Sequence, residues 1–274
     1  MGQESTVSVD QDYQLFVQGL KQILHIDLHF YKEKQMKRRL TSLRDKLGYA
    51  NFQSFLADIR QSSSLQDVVL KRITINVTEF YRNPEQWNTL LTRIVPRIFP
   101  EKKSLVCWSS ACSTGEEPYT LAMVLEDAGV RHYEILATDI DPFVLEKAKE
   151  AIYPAQTIKN LPLEKRQAYF IPKGDSVSLR KEQFKGKIRF RKLDLLHDTF
   201  PKGFDLILCR NVVIYFTDEA KDRLYRKLSD SLVPNGFLFV GSTEQIFHPH
   251  QYGLNSVAPF FYQRQASHTS NISP

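Results

Sequence analysis

One stretch, Leu105 to Tyr119 (LVCWSSACSTGEEPY), constrains the fold more than any other. An apolar run, Leu105 to Trp108, gives way to small residues from Ser109 to Gly115, then to Glu116, Glu117 and Pro118. The pattern predicts a buried strand, a tight turn and a helix with proline in its first turn. Small side chains let a ligand approach the backbone, and the N–H groups of a helix start point outward. Where such a turn holds a phosphate, those N–H groups meet an anion. Here two carboxylates stand at the helix start, which disfavours phosphate and favours a ligand with cationic groups. Alone, the stretch is equally consistent with an ordinary strand-to-helix turn whose acids complement the helix dipole.

The residues that follow extend the strand–helix alternation. Tyr133 to Ile140 predicts a second strand ending in Asp139, with a helix from Asp141-Pro142 to about Ala151. Ile188 to Leu193 predicts a strand ending at Asp194. Phe204 to Cys209 is almost wholly apolar, as a buried parallel strand should be. After Arg210 to Phe216 the spacing predicts a helix over 218–232, closed by Asn235-Gly236, and a strand from Gly236 to Gly241. Val257 to Arg264 reads as the last strand, in a closing antiparallel arrangement. Such alternation implies an α/β, Rossmann-like, mostly parallel sheet with right-handed crossovers. Ligands of these sheets lie beyond the carboxyl ends of the strands. Ser113 to Glu117, Asp139, Asp194 and Asn211 should therefore face one crevice. That crevice is acid-rich and has only Gly115 in place of a G-x-G-x-x-G loop. It suits S-adenosylmethionine, with its sulfonium and ammonium, better than a nicotinamide dinucleotide.

Two segments stand outside the alternation. From Asp12 to about Asn76 the periodicity predicts four short helices, hence an N-terminal all-α domain and linker over 12–83. The methyl-donor domain would then span 84–264, with a small antiparallel β insert of two or three strands at about 153–187. Asn83 reads as an N-cap before Pro84. Residues 1–11 read as a flexible start and 265–274 as a disordered tail.

Net charge is +6, and the basic residues cluster on the predicted helix 31–47 and over 165–192. Those two segments are candidate docking surfaces for an acidic protein partner. No apolar stretch is long enough to span a membrane, and the N-terminus has no signal-peptide pattern. Cys107, Cys112 and Cys209 lie in or beside strands at spacings that suit neither a metal site nor a disulfide frame, so a cytoplasmic protein is expected.

Five motifs in order, NVTEFYR, WSSACSTGEEPY, ATDID, LDLL and CRNVVIYF, resemble the CheR family of chemotaxis receptor methyltransferases, over roughly residues 12 to 264. The resemblance implies S-adenosylmethionine-dependent methylation of glutamate side chains on receptor helical bundles, giving γ-carboxyl methyl esters. It implies that Asn76, Thr78 and Arg82 contact the cofactor, that Glu116 or Glu117 meets the methionine amino group, and that Asp139 meets the ribose. Asp194 with Leu195 would flank the adenine, and Asn211 with Val212 would line the site. Arg82 and Tyr215 would act near the methyl acceptor. Two other readings stay open on the residues alone. Asn211 to Tyr215 loosely resembles the Asn/Asp-Pro-Pro-Tyr loop of nucleic-acid methyltransferases but lacks its prolines, so no nucleic acid is expected. A non-catalytic adapter that binds the cofactor is the second, and the retention of Arg82 and Tyr215 speaks against it.

Overall fold

The computed structural model describes residues 9–98, 102 and 104–266. Most of the two expected flexible ends lies outside these residues. The chain divides into two compact units, one of residues up to Ile75 with Tyr215–Lys221, the other of Asn76–Ile214 with Asp222 onward.

The first unit is helical: α1 (Val9–Leu24), α2 (Glu33–Lys46), α3 (Phe52–Gln61) and α4 (Ser63–Ile73). Helix α1 starts three residues before Asp12, within the expected flexible segment. Tyr13, Phe16, Val17 and Leu20 form its buried stripe, and the rings of Phe16, Phe52 and Phe55 pack together. Asn51 caps α3 by accepting from the Ser54 N–H at 2.8 Å, and Asp12 accepts from Phe52 and Gln53 at the same helix start. Helix α2 is shorter than the expected 31–47, because Tyr31 bridges Phe216 and the Lys32 N–H donates to the Tyr215 carbonyl.

The second unit opens with α5 (Pro84–Thr89), one π-turn at Leu90–Ile94, and α6 (Val95–Ile98). Then follow β1 (Leu105–Ser109), α7 (Glu116–Asp127), β2 (Tyr133–Asp139) and α8 (Pro142–Glu150). The insert comprises β3 (Ile152–Pro154), α9 (Leu163–Tyr169), β4 (Phe170–Lys173) and β5 (Ser176–Leu179). The unit closes with β6 (Ile188–Lys192), β7 (Phe204–Cys209), α10 (Asp218–Ser231, of which Asp222 onward belongs to this unit), β8 (Leu232–Val240), β9 (Leu254–Ala258) and β10 (Phe261–Arg264). Seven strands form one sheet in the order β6-β2-β1-β7-β8-β10-β9. The first five run parallel, and β10 and β9 are antiparallel. Strands β3, β5 and β4 form the small antiparallel sheet of the insert. Helix α9 was not expected there.

The chain leaves β1 for β2 and β6 on one side, while β7 and β8 continue on the other. The carboxyl ends of β1 and β7 therefore flank the topological switch point, the place where ligands of such sheets bind. All six β7 residues are buried. Each fully buried Leu, Ile or Phe side chain of this kind contributes roughly 1.5–3 kcal/mol. Asp205 is tolerated in the strand because its carboxylate accepts from the Val106 N–H at 2.9 Å and pairs with Lys102.

The expected stop at Asn235-Gly236 is not a helix end. Strand β8 begins directly after α10 at Leu232, and Asn235, at φ 64°, sits inside it where the register against β7 shifts. A left-handed residue in a strand marks a bulge, and the Asn-Gly pair serves that bulge.

Candidate active site

The β1–α7 turn is fixed to the sheet by side chains and backbone together. Trp108 is fully buried and its indole N–H donates to the Thr138 hydroxyl at 2.9 Å, which in turn donates to the Ser110 carbonyl. The Cys112 N–H reaches the Thr138 carbonyl and the Ser113 N–H reaches Asp139 Oδ2 at 2.9 Å. Ser113 and Gly115 hold positive φ, 46° and 94°. A Cβ on Gly115 would meet the Ala148 Cβ at 2.8 Å, so glycine serves both the turn and the close approach of α8.

Three acids surround Cys112, whose thiol is pushed well up by burial and by Asp139, Glu117 and Glu116. The two adjacent glutamates have different partners. Glu117 accepts from the Ser109 hydroxyl at 2.8 Å and pairs with Arg210 at 3.3 Å. Glu116, only 3% exposed, accepts from the Thr114 hydroxyl at 2.7 Å, and burial pushes its carboxyl up to about 7. Asp139 accepts from the N–H groups of Ser113 and Asp141, and burial raises it to about 6. A carboxylate offers about four acceptor positions, so both Glu116 and Asp139 retain capacity for further donors. The hydroxyl of Ser113, in the same turn, is buried without a hydrogen-bond partner. Acceptor-rich carboxyls and an unsatisfied hydroxyl fit a ligand carrying an ammonium and hydroxyls.

The Asn76–Arg82 segment is fastened at both ends. Asn76 Nδ2 lies 3.3 Å from Asp141 Oδ2, just past β2, and Asp141 also caps α8 through the Phe143 N–H. At the other end Arg210, just past β7, donates to the Arg82 carbonyl at 2.9 Å, to Asn83 Oδ1 and to Gln86 Oε1. Arg82 itself donates to the Val77 carbonyl at 2.8 Å, which folds its side chain back over the segment that carries Thr78. Asn83 stands at the N-cap position expected for α5, with Pro84 first in the helix, but it is left-handed, at φ 60°, and makes no side-chain capping bond; its amide oxygen serves Arg210 instead.

On the outer side, Asp194 accepts from the Leu196 N–H and from His197 Nδ1, closing its own turn beyond β6, and Leu195 is buried. Asn211 is left-handed, at φ 59°, and half-buried beside Val212. Thus Asn76, Arg82, Glu116, Glu117, Asp139, Asp194 and Asn211 lie on the carboxyl-end loops of the second unit or on the segment tied to them. Tyr215 belongs to the helical unit, with the Arg39 guanidinium over its ring at 5.7 Å.

Two charged residues went unnoticed in the sequence. Arg210 ends an apolar strand, and a charge there was the available signal. Glu244 accepts the N–H groups of Asn211 at 2.5 Å, Val213 at 2.9 Å and Gly241 at 2.9 Å, and nothing in its local sequence pointed to that role. The three cysteines are buried and free, with thiols pushed up by burial. Among the described residues no group of His, Cys, Asp and Glu is placed to hold a metal ion, and no helix is long and apolar enough to cross a membrane.

Residues 76–259 match the family model "CheR methyltransferase, SAM binding domain", and residues 11–74 match "CheR methyltransferase, all-alpha domain". The chain belongs to the CheR methyltransferase family. Its relatives include a chemotaxis protein methyltransferase of Listeria innocua, 44% identical over 93% of this chain and 97% of the relative. Another, from Escherichia coli, is 33% identical over 87% of this chain and 86% of the relative. The CheR chain is accordingly an S-adenosylmethionine-dependent methyltransferase, with the Rossmann-like domain, all-α domain and small β sheet that its sequence implied.

The basic segments are partly engaged within the fold. In α2, Arg44 pairs with Asp45 and its guanidinium covers Phe52, and Lys37 pairs with Asp10. Near the insert, Lys165 pairs with Asp127, Lys187 with Glu126, and Lys181 donates to the last carbonyls of α8. Arg189, Arg191 and Lys192, on the edge strand β6, are exposed.

Proposed function

We propose that this enzyme esterifies the γ-carboxyl of glutamate side chains on chemotaxis receptors, with S-adenosylmethionine as donor, in the cytoplasm. The observation that carries the site assignment is the contrast between the two adjacent glutamates. Glu117 is committed to Arg210 and Ser109, whereas Glu116 is buried with the Thr114 hydroxyl and its own backbone N–H on it and keeps acceptor positions for a further donor. Glu116 is then the carboxylate for the methionine ammonium, and Glu117 braces the turn beneath it. Asp139 takes the ribose hydroxyls, Asp194 and Leu195 flank the adenine, and Asn76, Thr78, Asn211 and Val212 complete the cofactor contacts.

When bound, S-adenosylmethionine supplies a methyl on a positively charged sulfur. A glutamate acceptor, with a usual pKa near 4.3, is ionised at neutral pH and needs no general base. One carboxylate oxygen would form the new C–O bond as the C–S bond broke, the electron pair of that bond remaining on sulfur. The protein's task is to align acceptor and donor and to exclude water. Arg82, with one terminal nitrogen on Val77 O, keeps further N–H groups for the acceptor carboxylate. Tyr215 shares that role on the strength of the family resemblance. The exposed cations of α2 and of the 165–192 stretch, Arg189 and Arg191 among them, steer the acidic receptor bundle.

The test is incubation with methyl-labelled cofactor and receptor-containing membranes, followed by peptide mapping. Label released by mild base from glutamate-bearing receptor peptides is the expected result. Label in DNA or RNA, or base-stable label on protein, would overturn the reading.

A further inference from the structure

Glu244 lies outside every motif that suggested the site, yet its one carboxylate gathers two loops. Oε2 accepts from the Asn211 N–H at 2.5 Å and the Gly241 N–H at 2.9 Å, and Oε1 accepts from the Val213 N–H at 2.9 Å. The side chain is 3% exposed. It thereby joins the carboxyl end of β7 to that of β8, the neighbouring parallel strand. Gly241 is shaped to this arrangement: a Cβ there would stand 2.3 Å from Glu244 Oε2 and 3.0 Å from the Asn211 nitrogen. Asn211, between two of the clamped N–H groups, is held at φ 59°, a conformation that costs energy for any residue with a Cβ. A buried acceptor satisfied by three N–H donors over-determines that strained turn. At this turn Asn211 and Val212 are both half-buried, and the Asn211 amide nitrogen lies beside Gly241.

We infer that Glu244 is a positioning residue for cofactor binding, acting through Asn211, whose backbone it holds in the left-handed conformation. The inference rests on the proposed placement of Asn211 and Val212 against the cofactor. Removing the carboxylate charge in Glu244→Gln leaves one acceptor oxygen for three N–H groups and turns the other position into a donor facing donors. The turn then samples other conformations, and Asn211 meets the ligand only part of the time.

A double-mutant cycle read by calorimetry with the demethylated product, S-adenosylhomocysteine, tests this without any turnover. Asn211→Gly removes the side chain while tolerating positive φ. It should weaken binding at least fivefold. E244Q should weaken binding about tenfold alone, but less than twofold when added to N211G. Glu244→Asp, which keeps the charge but shortens its reach to the three N–H groups, should show the same dependence on Asn211 and stands in if E244Q does not fold. Equal E244Q losses in both backgrounds, or an unchanged Kd in folded E244Q, would overturn the positioning role while leaving the site in place. An unchanged Kd in N211G would instead remove both the placement of Asn211 and the inference built on it.

Discussion

Arg210 and Glu117 form an ion pair, 3.3 Å between Nη1 and Oε2, with side-chain exposures of only 2% and 11%. Burial pushes the Glu117 carboxyl up and the Arg210 guanidinium down, each toward neutrality, and their mutual attraction offsets part of both shifts. The Arg210 guanidinium also lies over the rings of Phe239, at 4.6 Å, and Trp87, at 5.2 Å. Removing one member of such a pair strands the other charge, at a cost of about 3–5 kcal/mol. Glu117→Leu should therefore lower unfolding free energy by roughly 3 kcal/mol in urea denaturation. The double variant with Arg210→Met should recover part of that loss, since neither charge is then left alone. A single variant as stable as the parent would contradict the pairing.

Glu116 gives the enzyme a proton linkage. Its folded pKa, about 7, stands above the ordinary 4.5. Between those values the folded chain holds a proton that the unfolded chain has lost, so this group's contribution to stability is present at low pH and fades as pH rises toward 7. An ammonium beside it reverses the preference and expels the proton. Cofactor binding at pH 6 should release a proton, and affinity should rise by up to about tenfold per pH unit below 7. Calorimetry in buffers of different ionisation enthalpy measures the release. Asp139 is raised too, to about 6, so the comparison with Glu116→Gln assigns the effect. Equal proton release in that variant would remove Glu116 from the ammonium site.

Gly115 tests the packing under the turn. Alanine there carries a Cβ at φ 94° and 2.8 Å from the Ala148 Cβ. Strain and overpacking together should cost about 1–3 kcal/mol. Adding Ala148→Gly should return the packing share but not the backbone share. Full recovery in the double variant would show that the left-handed conformation costs nothing at this position.

The central strands were legible because they are short apolar runs, FDLILC buried throughout and LVCW buried at all but Val106. The carboxyl-end acids followed from the rule that puts ligands at strand ends, which needs only the order of strands. Legibility failed where a residue's role depends on partners far along the chain. Asn83 has every local mark of an N-cap, but Arg210, 127 positions later, claims its side chain. Asn235-Gly236 reads as a helix stop only until the neighbouring strand β7 draws it into a bulge. Glu244 has no local signal at all, because its three partners are N–H groups that every sequence contains.

Arg82 and Tyr215 separate chemistry from binding. Tyr215→Phe keeps the ring that Arg39 covers at 5.7 Å and the backbone carbonyl that accepts from Lys32, and removes only the hydroxyl. The fold should be unchanged, as should the Kd for S-adenosylhomocysteine, while turnover on receptor falls on the order of tenfold or more through lost alignment. Arg82→Lys differs: it loses the planar donor set that holds Val77 O and that, on the proposed reading, would also hold the acceptor carboxylate. Turnover and cofactor affinity should both fall, turnover further. Rapid-quench single turnovers with saturating labelled cofactor, alongside calorimetric Kd values, distinguish the two patterns. If the phenylalanine variant turns over at the parent rate, the hydroxyl has no part in orienting the glutamate, and Arg82 alone must hold the acceptor.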